Sequence, residues 1–149
     1  MKKILIILGI LLILGLLGIF ILARVFYPDN IAETSIDGGS KGLKTRMYEQ
    51  DTKKVVNVIK EVLSTMSTYG SSWKIVSETE ETHSSTATFA VEIPVVVFID
   101  DMEIQIGKSE NGKTKVDVKS KSRVGQSDFG ENARHIRKLL NALDKRLAE

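Results

Sequence analysis

Positions 4–23 form a run of about 20 residues without a charged or strongly polar side chain, and this run most restricts what the chain can become. Wound as an α-helix, it is roughly 30 Å long, which is the thickness of a hydrocarbon core. A helix on the surface of a soluble domain needs an apolar stripe, not an apolar circumference. Lys2 and Lys3 precede the run and Arg24 follows it. A cleaved export signal would have a shorter apolar stretch, roughly 7–15 residues, ending in a small-residue cleavage site. Ile21-Leu22-Ala23-Arg24-Val25 offers none, so residues 1–26 are expected to remain as a transmembrane anchor, with the lipid bilayer as partner of residues 4–23. The absence of cysteine excludes a lipidated-cysteine anchor and is compatible with an oxidising compartment. Lys2, Lys3 and the α-amino group lie on the short side, whereas Asp29, Glu33 and Asp37 follow Arg24 before any further base. The positive-inside rule then predicts a single pass through the cell membrane, with a cytoplasmic N-terminus and an exported C-terminal domain.

The chain has 21 basic and 19 acidic residues, a net charge of +2. Lys2, Lys3 and Arg24 flank the anchor, and the remainder is close to neutral. That balance gives no electrostatic case for a nucleic-acid partner.

Pro28 disfavours helix in the residue before it and so ends the anchor. Residues 27–42, with Gly38-Gly39-Ser40-Lys41-Gly42 and few large apolar side chains, are expected to be a linker. Residues 43–149 are then the folded domain. Asp51 or Thr52 can cap a helix whose apolar face is Val55, Ile59, Val62 and Met66, thickened by Val58 and Leu63, with Gly70 as its stop. After Gly70 the period becomes two. Strands are expected at 73–80 and 82–93, the second placing Ser85, Ala87, Phe89, Val91 and Ile93 on one side, with a polar turn at 79–85 between them. Pro94 marks an edge, a bulge or a new strand start. Val95-Val96-Val97 is apolar at every position, as in a central strand or an oligomer contact. Trp73, at a strand start, is expected in the core.

Two further strands, 97–107 and 113–124, flank Asn111-Gly112, a hairpin signal. With Ile106 opposite Val116, Ile104 meets Val118, Met102 meets Ser120, Asp100 meets Ser122 and Phe98 meets Val124. On the reverse face Glu103 falls opposite Lys119, and Asp101 opposite Lys121, so one register satisfies both faces. Asp128 with Glu131 has the form of a capping box opening a last helix, whose stripe is Ala133, Ile136, Leu140, Leu143 and Leu147 with Leu139 beside it. Its basic residues are expected on a solvated face, or against anionic headgroups. The fold class expected is α+β: a four-stranded antiparallel sheet with two helices on one face, in the order helix, four strands, helix.

The chemistry-bearing residues concentrate where the last strand runs into the last helix. Ser120 and Ser122 share the inward parity of Val116 and Val118, and Asp100 points inward opposite Ser122. A carboxylate among apolar neighbours must be paired or hydrogen-bonded, and Arg123, Arg134 or Arg137 could supply the partner. In the plain reading Asp128 caps a helix, Gly125 and Gly130 turn the chain, and Asp100 fastens the hairpin to that turn. In the functional reading Asp100, Ser120, Ser122, Arg123, Ser127, Asp128 and Asn132 form a polar pocket for an anion or carboxylate at a helix N-terminus. A third reading makes Ser122 or Ser127 a nucleophile, but it lacks a base: His83 and His135 are the only histidines, and His135 is expected on a solvated helix face. No His/Cys spacing suggests a metal, no phosphate-binding loop or G-x-S-x-G elbow is present, and no cofactor is expected.

The motif Ser-x-Ser-Arg-x-Gly-x-Ser-Asp-x-Gly-x-Asn-x-x-x-Ile from Ser120 to Ile136, with Phe98-Ile99-Asp100-Asp101 upstream, resembles the signature of a bacterial and plastid family of unknown function. Leu43-Lys44-Thr45-Arg46 and Trp73-Lys74-Ile75-Val76 fit the same pattern. The resemblance covers residues 43–147 and implies that Asp100, Asp101, Ser120, Ser122, Arg123, Gly125, Ser127, Asp128, Gly130 and Asn132 are characteristic positions. It implies no activity. Many relatives carry cysteines ahead of the first domain helix and this chain has none, so no thiol role transfers. Lys119, Lys121 and His135 also depart from the pattern. The expectation is a membrane-anchored, non-enzymatic envelope module that binds an unidentified protein or small ligand at the joint. The alternatives are a carrier or sensor for lipid or another apolar ligand, and a Ser-dependent hydrolase.

Overall fold

The computed structural model describes residues 2–26, 29–81 and 85–148. The expected anchor end at Tyr27-Pro28, and His83 within the expected 79–85 turn, lie outside the described residues. Helix α1, Lys2–Phe26, is long and apolar enough to cross a membrane, and its large apolar side chains are exposed all round.

The domain that follows has two layers. Strands β1 (Ile31–Glu33) and β2 (Arg46–Tyr48) precede helix α2 (Thr52–Thr65). A short hairpin, β3 (Ser67–Thr68) and β4 (Ser71–Ser72), leads to β5 (Lys74–Glu81), β6 (Thr86–Val95), β7 (Phe98–Lys108), β8 (Thr114–Ser122) and helix α3 (Glu131–Leu147). The main sheet runs β1-β8-β7-β6-β5, and β2 also pairs with β8, so it has six strands rather than the expected four. The four expected strands are β5 to β8, all antiparallel. The additional two come from 27–42, read as a linker, and from the segment before α2. They divide one edge of β8: β1 pairs with Lys119 to Lys121 and β2 with Thr114 to Val116. The turn between them closes through a bridge of Ser35 to Lys44, and Thr34 and Thr45 both donate to the Asp117 carboxylate.

The β7–β8 register is the expected one at each pair from Asp100↔Ser122 to Ile106↔Val116. Alternation buries Ala87, Phe89, Val91 and Ile93 of β6, Met102, Ile104 and Ile106 of β7, and Val116 and Val118 of β8 beneath α2 and α3. Trp73 is in this core. Asp51 caps α2 by accepting from the Lys54 amide. The helix stops at Thr65, before Gly70, because Met66 is already extended. Tyr69 and Gly70, both at positive φ, instead make the tight turn of the β3–β4 hairpin. Pro94 lies within β6, beyond the last β5 pair at Lys74↔Glu92, so its missing N–H disturbs no ladder there.

Val95-Val96-Val97 is not a central strand. Val95 pairs with Phe98, and Val96 and Val97 are the two-residue tip of the β6–β7 hairpin, 78% and 80% exposed. Val96 has φ 56°, a left-handed conformation that a β-branched residue adopts only at a cost.

Candidate functional site

The end of the sheet where β7 begins and β8 stops faces the start of α3. Strand parity turns Asp100 and Ser122 inward as a pair, and Asp100 is 2% exposed. One layer deeper, Asn132 organises the joint. Its Oδ1 accepts from the Ser120 hydroxyl at 2.6 Å, and its Nδ2 donates to Ser122 Oγ at 3.0 Å and to the Asn30 carbonyl at 2.9 Å. Asn30 in turn donates from its side chain to the Gly125 carbonyl at 2.7 Å, closing the loop after β8. Sequence reading missed Asn30 because it stands in a segment with no periodicity.

Asp128 accepts from the Gly130 and Asn132 amides at 2.8 Å each, so both its oxygens serve the start of α3. The reciprocal half of the capping box is not made. The Glu131 carboxylate is taken by the Tyr69 hydroxyl and by Arg134.

Arg123 is placed differently from the expectation. One residue beyond Ser122, it lies on the outer face of the sheet and holds Asp101 in a two-point ion pair, with Glu92 alongside. It does not meet Asp100. Strand alternation already required this, since Arg123 has the parity of Lys119 and Lys121. Arg137 donates to the Lys41 carbonyl, and Arg134 to the Phe129 carbonyl and Glu131.

His135 occupies the place near Asp100 instead. It is 3% exposed, not solvated, because the buried face of α3 is broad and includes Asn132, His135, Ile136 and Leu139. Its Nδ1 is 3.5 Å from Asp100 Oδ2, its Nε2 is 3.5 Å from Glu131 Oε2, and the Trp73 ring meets it edge-on at 5.7 Å. Neither nitrogen is aligned for a hydrogen bond within the described residues. Burial pushes the His135 imidazole below its ordinary value, towards the neutral form. Burial likewise pushes the Asp100 carboxyl up, Asp128, Glu131 and Asp101 add to that, and the Ser122 hydroxyl partly offsets it.

A cavity of about 580 Å³ opens over this joint. Asp100, Ser122, Ser127, Asp128, Glu131 and Arg134 line its polar side, and Val96, Phe98, Val124 and Phe129 its apolar side. Asp100 Oδ2 and Ser127 Oγ are buried without a hydrogen-bond partner among the described residues. Ser120 and Asn132 lie beneath it and do not line it. The lining carries three carboxyls to one guanidinium, Arg134, which is paired with Glu131, so it is not the expected anion site. A shallower hollow of about 730 Å³ lies beside Gly125 and the 35–41 turn. Among the described residues no group of three His, Asp or Glu could hold a metal ion.

Residues 27–143 match the family described as Protein of unknown function (DUF1499). The chain belongs to this family. The DUF1499 region begins directly after α1 and takes in β1, Asn30 and the whole joint, so the segment read as a linker is part of the family domain. No curated protein matches the sequence. Membership of DUF1499 therefore lends no activity.

Proposed function

We propose that this is a membrane-tethered, non-enzymatic envelope module that binds a small ligand in the cavity at the strand–helix joint. The observation that carries the reading is that Asp100 and Ser127, whose Oδ2 and Oγ are buried without a hydrogen-bond partner among the described residues, both line one cavity. A buried polar atom left unpaired costs about 1–3 kcal/mol, which a ligand group donating N–H or O–H would recover. With Asp128 taken by the α3 amides and Glu131 by Tyr69 and Arg134, Asp100 is the carboxyl left to meet a ligand, which favours a group donating N–H or O–H, and the apolar rim suits an attached carbon chain. A tether at the bilayer raises the local concentration of such a molecule, so weak binding suffices.

Two features argue for binding over catalysis. The serine of the β8 end is held by Asn132, and the far nitrogen of His135 faces Glu131 rather than a hydroxyl. A carrier with an interior cavity fits less well, because Phe89, Ile104, Leu139 and Leu143 are fully buried between sheet and helices.

Native mass spectrometry of the full chain extracted from membranes, followed by titration calorimetry with ethanolamine and glycerol headgroup analogues, tests the proposal. The expected outcome is a co-purifying molecule, or heat of binding, that is lost in Asp100→Asn and Ser127→Ala. An empty protein that binds neither probe would overturn it.

A further inference from the structure

Five apolar side chains crowd the same end of the domain from three separate segments. Val96 and Val97 form the β6–β7 tip, Phe98 opens β7, Val124 follows β8, and Phe129 precedes α3, each at least half exposed. Val96, Phe98, Val124 and Phe129 border one cavity, so they form one patch rather than scattered residues. The tip is the position where a two-residue hairpin turn ordinarily holds Gly, Asn or Asp. Here it holds two valines, one of them at φ 56°. A turn that takes on backbone strain to display apolar groups has no reason within the fold itself.

Chain connectivity says what covers this patch. Helix α1 ends at Phe26, and Asn30 is already bonded to Gly125 and Ser122 at the patch end of the sheet. Four residue steps span at most about 14 Å. Phe20 and Arg24 of α1 share a further cavity with Phe129. We propose that Val96, Val97, Phe98, Val124 and Phe129 form a lipid-docking rim that sits in the headgroup–acyl boundary of the bilayer that α1 crosses. The inference rests on α1 being in a membrane, and the mouth of the Asp100 cavity then opens onto the lipid surface. The domain stands on the bilayer by its rim, with the β7–β8 turn at the far end, about 34 Å away along the strands.

The chain has no cysteine, so single labelling sites are easily introduced. The full chain is reconstituted in vesicles of phosphatidylcholine and phosphatidylglycerol as Ile13→Cys, Val97→Cys or Asn111→Cys, each carrying an environment-sensitive fluorophore. The Val97 label is expected to be blue-shifted, quenched by lipids spin-labelled at shallow depth, and quenched several-fold less by aqueous iodide than the Asn111 label. The Ile13 label is expected to respond to deep spin labels. Adding Phe129→Asp and Phe98→Ser is expected to return the Val97 label to water. An Ile13 label deep in lipid beside a Val97 label as wet as Asn111 would overturn the docking rim and leave the anchor standing. An Ile13 label in water would overturn both.

Discussion

At the scale of single residues, the joint is a set of compromises whose signs can be measured. A carboxyl whose folded-state pKa is raised stabilises the fold below its unfolded value and loses that contribution as pH rises through the folded value. Asp100→Asn is therefore expected to gain stability relative to the unsubstituted chain as pH rises from about 4 towards neutrality, in urea melts of the two proteins side by side. The same variant is expected to lose ligand, so stability and binding move in opposite directions. His135 has the opposite dependence. Its folded value is lowered, so its contribution is present above about pH 6.5 and is lost as pH falls through the folded value. In His135→Phe the acid-side fall of the urea midpoint should be flatter. Asp128→Ala removes both of its hydrogen bonds to the start of α3 and should cost about 1–2 kcal/mol. Arg123→Ala is expected to leave ligand binding intact, because its partners Asp101 and Glu92 lie on the other face of the sheet.

Elements differ in how much of themselves they display in sequence. The β7–β8 register was legible from Asp100 to Ile106, since an Asn-Gly turn and two apolar parities fix it there, but the expected Phe98–Val124 pair is not formed because β8 ends at Ser122. Its parity also held the information that Arg123 faces outward, and the charge of the residue drew attention from it. Strands β1 and β2 are three residues each, too short for any period to appear, and they exist because β8 would otherwise offer an open edge. His135 was missed for another reason: a helix lying across a sheet and against a second helix buries more than one stripe, so a polar residue beside the stripe is still inside. The β6–β7 tip can be tested as an element. Val96→Gly should raise the unfolding free energy of the full chain in detergent by about 1 kcal/mol through relief of the left-handed backbone, with an unchanged denaturant slope. The same substitution should weaken the rim's contact with lipid.

For the whole molecule, the consequence of the extra strands is that helix α1 and the domain are not separated by a free linker. A chain beginning at Asn30 keeps β1 and the bonds to Gly125, Ser122 and Asn132, and is expected to fold with a cooperative melt. One beginning at Leu43, the boundary suggested by composition, is expected to melt lower and with broadened transitions, by circular dichroism. Asn30 stands four residues beyond the end of α1 and clasps Ser122 and Gly125, two residues of the cavity lining. Mechanical tension along α1 would thus be felt first by the three β1 pairs and by that clasp, and only afterwards by the core. A pull on α1 would therefore reach the cavity through the bonds of one asparagine to Ser122 and Gly125.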